Sequence, residues 1–128
     1  MKTNLSLNKA YQFGQAIHSI NQVQPRLNAV VVQKMAMNLN RINDAFPDVQ
    51  TEEAKLFEKH GQPKESDENY KGYLTDKIEY HKSTRIEVDI EMIDYNDLNI
   101  GTSDRQNHFP PAVVAALALM INGFGEAQ

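Results

Sequence analysis

The sequence predicts an α+β fold: a mainly helical single domain with a small antiparallel sheet, its N-terminal strand paired with a strand over 85–93 and helices covering one face. Three observations predict it. Over Arg85 to Met92 apolar and charged residues alternate without a break, the period of a strand with Ile86, Val88, Ile90 and Met92 inward and Arg85, Glu87, Asp89 and Glu91 in water. Leu5 and Leu7 flank Ser6 in a shorter version of that pattern, and two isolated strands satisfy their backbone groups most simply by pairing with each other. Elsewhere apolar residues recur at steps of three and four, the helix period.

After the first strand, Asn8 is placed to cap a helix running to about Ile20, its side-chain oxygen accepting from backbone N–H groups of the first turn. Ala10, Phe13, Ile17 and Ile20 make its apolar stripe, while Lys9, Gln12, Gln15 and Ser19 face away. Gly14 costs such a helix about 1 kcal/mol relative to Ala, which points to close packing there. Gln22 to Pro25 then connects to the strongest helical pattern, with Leu27, Val31, Met35, Asn38 and Ile42 on one row and Val32, Met35, Leu39, Ile42 and Phe46 on the next. The run Val30-Val31-Val32 favours helix weakly, so burial is expected to hold that turn.

Pro47 interrupts this pattern, and Asp48 or Thr51 can recap a continuation to His60, with Gly61 as its C-terminal stop. A polar loop follows near 61–69. Tyr70, Tyr73, Leu74, Lys77, Ile78 and His81 trace the face of a further helix ending near Lys82. Beyond the Arg85 to Ile93 strand, Asn99 to His108 is polar and irregular. Pro110-Pro111 opens a last helix from Ala112 to about Asn122, with Val113, Val114, Leu117, Met120 and Ile121 inward and Gly123 and Gly125 ending it.

At 128 residues the chain fits one domain, 1–128. Its 41% apolar content and net charge of −4 suit a folded protein rather than a disordered one. The 13 Lys and Arg residues are dispersed, leaving no basic stripe, so direct nucleic acid binding is not expected. Absence of cysteine excludes disulfides and thiolate metal sites. The amino terminus lacks the apolar run of a signal peptide, and Ala112 to Ile121 is about half of what a membrane span needs, so a cytoplasmic location without membrane contact is expected.

Glu87, Asp89 and Glu91 recur at about 6.5 to 7 Å along one strand face. Three carboxylates so placed could bind a hard cation in a small metal-dependent hydrolase, or imitate phosphates as an acidic nucleic-acid mimic. The reading preferred here is a solvated strand face that discourages edge-to-edge aggregation. His18, His60, His81 and His108 show no ligand spacing, and Asp94, Asp97 and Asp104 do not follow the order of a calcium loop. No nucleophile elbow, phosphate loop or dinucleotide fingerprint can be written through the six glycines. No catalytic residue, metal or cofactor is therefore expected. Tyr70 and Tyr73, beside a polar loop, are the aromatic cluster best placed to anchor a protein partner.

Two segments carry a family resemblance. Leu5-Ser6-Leu7-Asn8-Lys9-Ala10-Tyr11 with the helix after Pro25, and Glu87-Val88-Asp89-Ile90-Glu91-Met92-Ile93 with Asp97-Leu98 and Pro111 before an apolar helix, resemble a family of short bacteriophage and prophage proteins of unassigned function. The resemblance covers the ends and leaves about Pro47 to Lys77 unmatched. It implies a non-catalytic accessory protein acting by protein contact, in virion assembly or against a host defence system. The partner would be a second copy in a homo-oligomer or a host or virion protein, met in the host cytoplasm or the virion. Tyr70, Tyr73, Glu87, Asp89 and Glu91 are the expected partner-binding residues.

Overall fold

In the computed structural model, which describes residues 2–22 and 25–122, the chain opens with strand β1 (Lys2–Ser6) and helix α1 (Leu7–Gln22). Helices α2 (Ala29–Ala45), α3 (Val49–Lys59) and α4 (Asn69–Ser83) follow, then β2 (Arg85–Asp89), β3 (Ile93–Asp94), α5 (Pro111–Ala116) and β4 (Ile121–Asn122), with 3-10 turns at Tyr95–Leu98 and Ala118–Met120. The fold is α+β and mainly helical, with β1 and β2 in a small antiparallel sheet that sets Leu5 opposite Ile86 and Thr3 opposite Val88.

The alternation around β2 is realised as the sequence predicts. Ile86, Val88 and Ile90 are buried, and Arg85, Glu87 and Asp89 are exposed. The strand is nevertheless shorter than the expected 85–93, for a visible reason. Asn38 on α2 accepts from the Glu91 N–H at 2.7 Å and donates to the Glu91 carbonyl at 3.0 Å, which takes the chain out of the ladder just after Ile90. Lys34 Nζ donates to Met92 O and Arg41 Nη1 to Asp89 O, both at 2.9 Å. Three α2 side chains thus hold the backbone at the end of β2 and just beyond it, at Asp89, Glu91 and Met92. Asn38, which shares a row with Val31, Met35 and Ile42, is fully buried.

Ser6, rather than Asn8, takes the capping place of α1, its hydroxyl accepting from Lys9 N–H at 3.2 Å. Asn8 is exposed, and Leu7 already belongs to the helix while its N–H continues the ladder to Thr84 O. Gly14 lies where close packing was expected: a Cβ there would be 3.4 Å from Leu39 Cδ1 of α2. Asn28 caps α2 by accepting from Val31 N–H at 2.9 Å. Of the three valines only Val31 is buried, whereas Val30 and Val32 are exposed, so this cap and one buried side chain hold the turn.

The last helix stops at Ala116, short of the expected Asn122. Leu117, Met120 and Ile121 are buried, but the chain reaches them through a 3-10 turn and extends at β4, where Ile121 and Asn122 pair in parallel with Ile93 and Asp94. The glycines expected to end this helix, Gly123 and Gly125, lie outside the described residues. In the irregular stretch before α5, buried Asn107 accepts from Arg26 N–H at 2.7 Å and donates to Arg26 O and Leu98 O, joining two remote loops. The buried side chains form one cluster of α1, α2, β1, β2 and residues 90–121, to which α3 and α4 contribute no buried residue.

Replacing Asn38 by Ala should destabilise the protein by about 2–4 kcal/mol, because two backbone groups each lose a partner worth about 1–3 kcal/mol when left unpaired. Exposed Asn40→Ala should stay within about 0.5 kcal/mol of the parent. Urea unfolding of both variants decides; equal midpoints would mean that the Glu91 backbone finds other partners.

Candidate functional site

The segment that contributes no fully buried residue, and packs on the core only through half-buried Val49 and Tyr80, is a helical hairpin, α3 and α4, whose local sequence specifies each end. Asp48 caps α3 by accepting from Thr51 N–H and Thr51 hydroxyl at 3.1 and 2.7 Å, the hydroxyl bond being the main cause that holds its carboxyl below the usual range. At the far end Gly61, with φ of 78°, takes the left-handed place that stops a helix: its N–H reaches Glu58 O, and the Gln62 N–H reaches Phe57 O. The structure thus selects Asp48 of the two expected caps and realises the Gly61 stop.

Two histidine–carboxylate pairs join the helices. His60 Nε2 lies 2.7 Å from Asp76 Oδ2, and His81 Nε2 lies 2.7 Å from Glu53 Oε1; since carboxylates only accept, each ring presents its N–H. Lys59 adds a 3.4 Å contact to Asp76 and Lys77 a 4.0 Å contact to Glu53. A Cβ at Gly72 would lie 3.0 Å from His60 Cε1, so the missing side chain makes room for the ring against α4. The His60 hydrogen bond, opposed next by desolvation and then aided by the Lys59 charge, holds the Asp76 carboxyl below its usual range.

Tyr70 and Tyr73 are both half-buried. Tyr73 meets Phe57 of α3 edge to face at 5.2 Å and Tyr70 at 5.8 Å, so this cluster fastens the hairpin to itself. The exposed apolar side chains of α4 are its neighbours Leu74 and Ile78, one turn apart. With Tyr11 and Asn8 of α1, and with Lys77 and His81, they border an open cleft of about 390 Å³. Burial, and then the Glu53 charge, push the Tyr11 hydroxyl up. The Tyr80 hydroxyl is buried without a hydrogen-bond partner among the described residues and is likewise pushed up, by burial first and then by Glu52 and Glu53.

Glu87, Asp89 and Glu91 do not act as one cluster. Glu87 pairs with Lys2 at 3.7 Å, Glu91 with Arg41 at 3.3 Å, and Asp89 has its carbonyl held by Arg41 and its carboxyl held below the usual range first by a hydrogen bond from the amino terminus. Among the described residues no group of three or more His, Asp or Glu side chains could hold a metal ion. No described helix is long and apolar enough to cross a membrane. Compared with family models, with curated proteins and with solved structures, the chain matches none.

Sequence reasoning placed Tyr70 and Tyr73 on a helix beside the loop, where they are. It missed the His60–Asp76 and His81–Glu53 pairs, and it missed Leu74, Ile78 and Tyr11 as a shared surface. The one signal available was the mirrored placement of imidazole and carboxylate about the 61–69 loop.

Acid should loosen the hairpin before the core. Because the Asp76 and Asp48 carboxyls titrate below their unfolded values, their contribution is present above about pH 4 and is lost as pH falls through the depressed values. Amide exchange, corrected for intrinsic rates, should show α3 and α4 losing protection while α1 and α2 keep theirs, and Asp76→Asn should blunt the change in the hairpin. Strand β2 is no control, because a hydrogen bond from the amino terminus holds the Asp89 carboxyl below its usual range as well. Simultaneous loss everywhere would contradict this order.

Millimolar Mg²⁺, Mn²⁺, Ca²⁺ or Zn²⁺ should move the melting temperature by less than about 2 °C, whereas a site filled at 100 times its dissociation constant would add about 2.7 kcal/mol. A clear shift removed by Asp89→Asn would turn the strand face into a cation site.

Proposed function

We propose that this chain is a non-catalytic protein-interaction module, an accessory protein of bacteriophage or prophage type that works by contact with a host or virion protein, using the α3–α4 hairpin and the facing part of α1. The observation that carries the reading is the division of the molecule. No fully buried core residue comes from the hairpin, which packs on the core through half-buried Val49 and Tyr80, and it directs Leu74 and Ile78 outward beside Tyr11. Exposed apolar residues one helical turn apart, next to an aromatic ring and rimmed by Lys77 and His81, have the composition of a helix-face contact, an apolar centre with a polar border. The resemblance at the two ends of the chain supplies the phage context, and virion assembly and inhibition of a host defence system are its two forms. Tyr70 and Tyr73 serve this surface indirectly, by keeping the hairpin closed.

The test is a double substitution, Leu74→Ser with Ile78→Ser. Both side chains are exposed, so the melting temperature should stay within about 2 °C. Affinity capture from phage-infected cells should lose the specific partner. A variant that keeps its partners and its stability would remove this face from consideration. Light scattering of the parent chain separates self-association from a foreign partner.

A further inference from the structure

We infer that the outer edge of β1 is a docking site for an extended segment of another protein, which would add to the sheet as a third strand. This surface is distinct from the hairpin.

The hydrogen-bond pattern of the sheet fixes which groups face outward. Leu7 N–H donates to Thr84 O, so that position is a bonded pair of the antiparallel ladder. Bonded and non-bonded positions alternate, so Leu5 and Thr3 bond toward Ile86 and Val88, while the N–H and C=O of Asn4, opposite Glu87, point away from β2. The same alternation turns the Asp89 carbonyl outward on the opposite edge, and there the structure shows what such a group does when covered: Arg41 donates to it, and Asn38 takes both backbone groups of Glu91 just beyond. On that side α2 thus covers the end of β2 and the chain just beyond it. The sheet has only two strands, and no described helix side chain performs this service for Asn4.

An apolar cleft of about 320 Å³ runs beside this open edge, with Asn4 on one wall, Ala115, Ala116 and Leu119 on the other and Lys9 at its border. Lys9 is exposed and makes no ion pair among the described residues. Backbone groups at strand spacing call for an extended occupant, the small apolar wall for apolar side chains at alternate positions, and the lysine for an acidic residue in the segment.

The experiment selects binders from a library of random linear peptides displayed against the whole protein. Expected are peptides with alternating apolar residues and a carboxylate, which protect the Asn4 amide from exchange on binding. The Asn4 N–H points away from β2, so Asn4→Pro removes an edge donor and leaves the β1–β2 ladder its bonds. It should weaken binding by about tenfold or more, as should N-methylation of the peptide at the paired residue. Ala115→Arg, at an exposed position of the facing wall, should do the same without touching the strand, and so covers the case of a poorly folded proline variant. No enriched sequence, binding that survives both substitutions, or an Asn4 amide that stays unprotected would each overturn the inference. A dimer of the chain abolished by Ala115→Arg would assign the edge to a second copy and overturn it equally. Neither result bears on Leu74 and Ile78, so failure here and failure of the hairpin reading are separable.

Discussion

The fold depends on one buried amide. Asn38 sits at zero exposure among Val31, Met35 and Ile42, and a polar group in that place is tolerable only if both ends of it are paired. They are paired with the N–H and C=O of a single residue, Glu91, the geometry one strand offers another. The consequence is rotational: only one orientation of α2 about its axis brings Asn38 to Glu91, and that orientation also sends Arg41 to Asp89 and Lys34 to Met92. Apolar packing alone would accept neighbouring rotations at modest cost, since hydrophobic burial is non-directional. Asn107 acts similarly on the Arg26 backbone. The core is filled by apolar residues but oriented by asparagines.

The parts of the fold legible in the sequence are those in which one residue's neighbours along the chain determine its environment. The alternation of Ile86, Val88 and Ile90, the Gly61 stop and the stripe of Ala10, Phe13, Ile17 and Ile20 are of this kind. What was not legible depends on partners remote in sequence. Asn8 and Ser6 are equally good caps as residue types, and Ser6 wins because pairing of β1 with β2 carries Leu7 to Thr84 and the helix starts there, two residues earlier than a cap at Asn8 would place it. Asn38 read as a member of an apolar row because nothing local reveals that a strand will end against it. The shortened final helix is another case, since β4 exists only because β3 is there to pair with it.

The candidate site divides in the same way. Tyr70 and Tyr73 share a helix face, as their spacing requires, yet whether that face looks outward or toward Phe57 depends on how α3 returns along α4. The carboxylates at and just beyond β2 share the face their alternation predicts, yet Arg41 reaches Glu91 from 50 residues away and Lys2 reaches Glu87 only through the pairing of β1 with β2. Leu74 and Ile78 belonged to an apolar face by periodicity, and they stay exposed because α1 meets that side of α4 across an open cleft instead of packing closely on it.

These arrangements bear on what kind of function the molecule can support. Among the described residues, the conspicuous polar groupings are used to join distant segments: Asn38 to Glu91, Asn107 to Arg26, His60 to Asp76, His81 to Glu53. Each of these pairs ties two segments of the chain together. What the structure leaves turned outward is of another kind, apolar side chains on the α3–α4 hairpin and backbone groups on one strand edge. Features of this kind suit the polypeptide contacts proposed above, the first through apolar area and the second through main-chain hydrogen bonds.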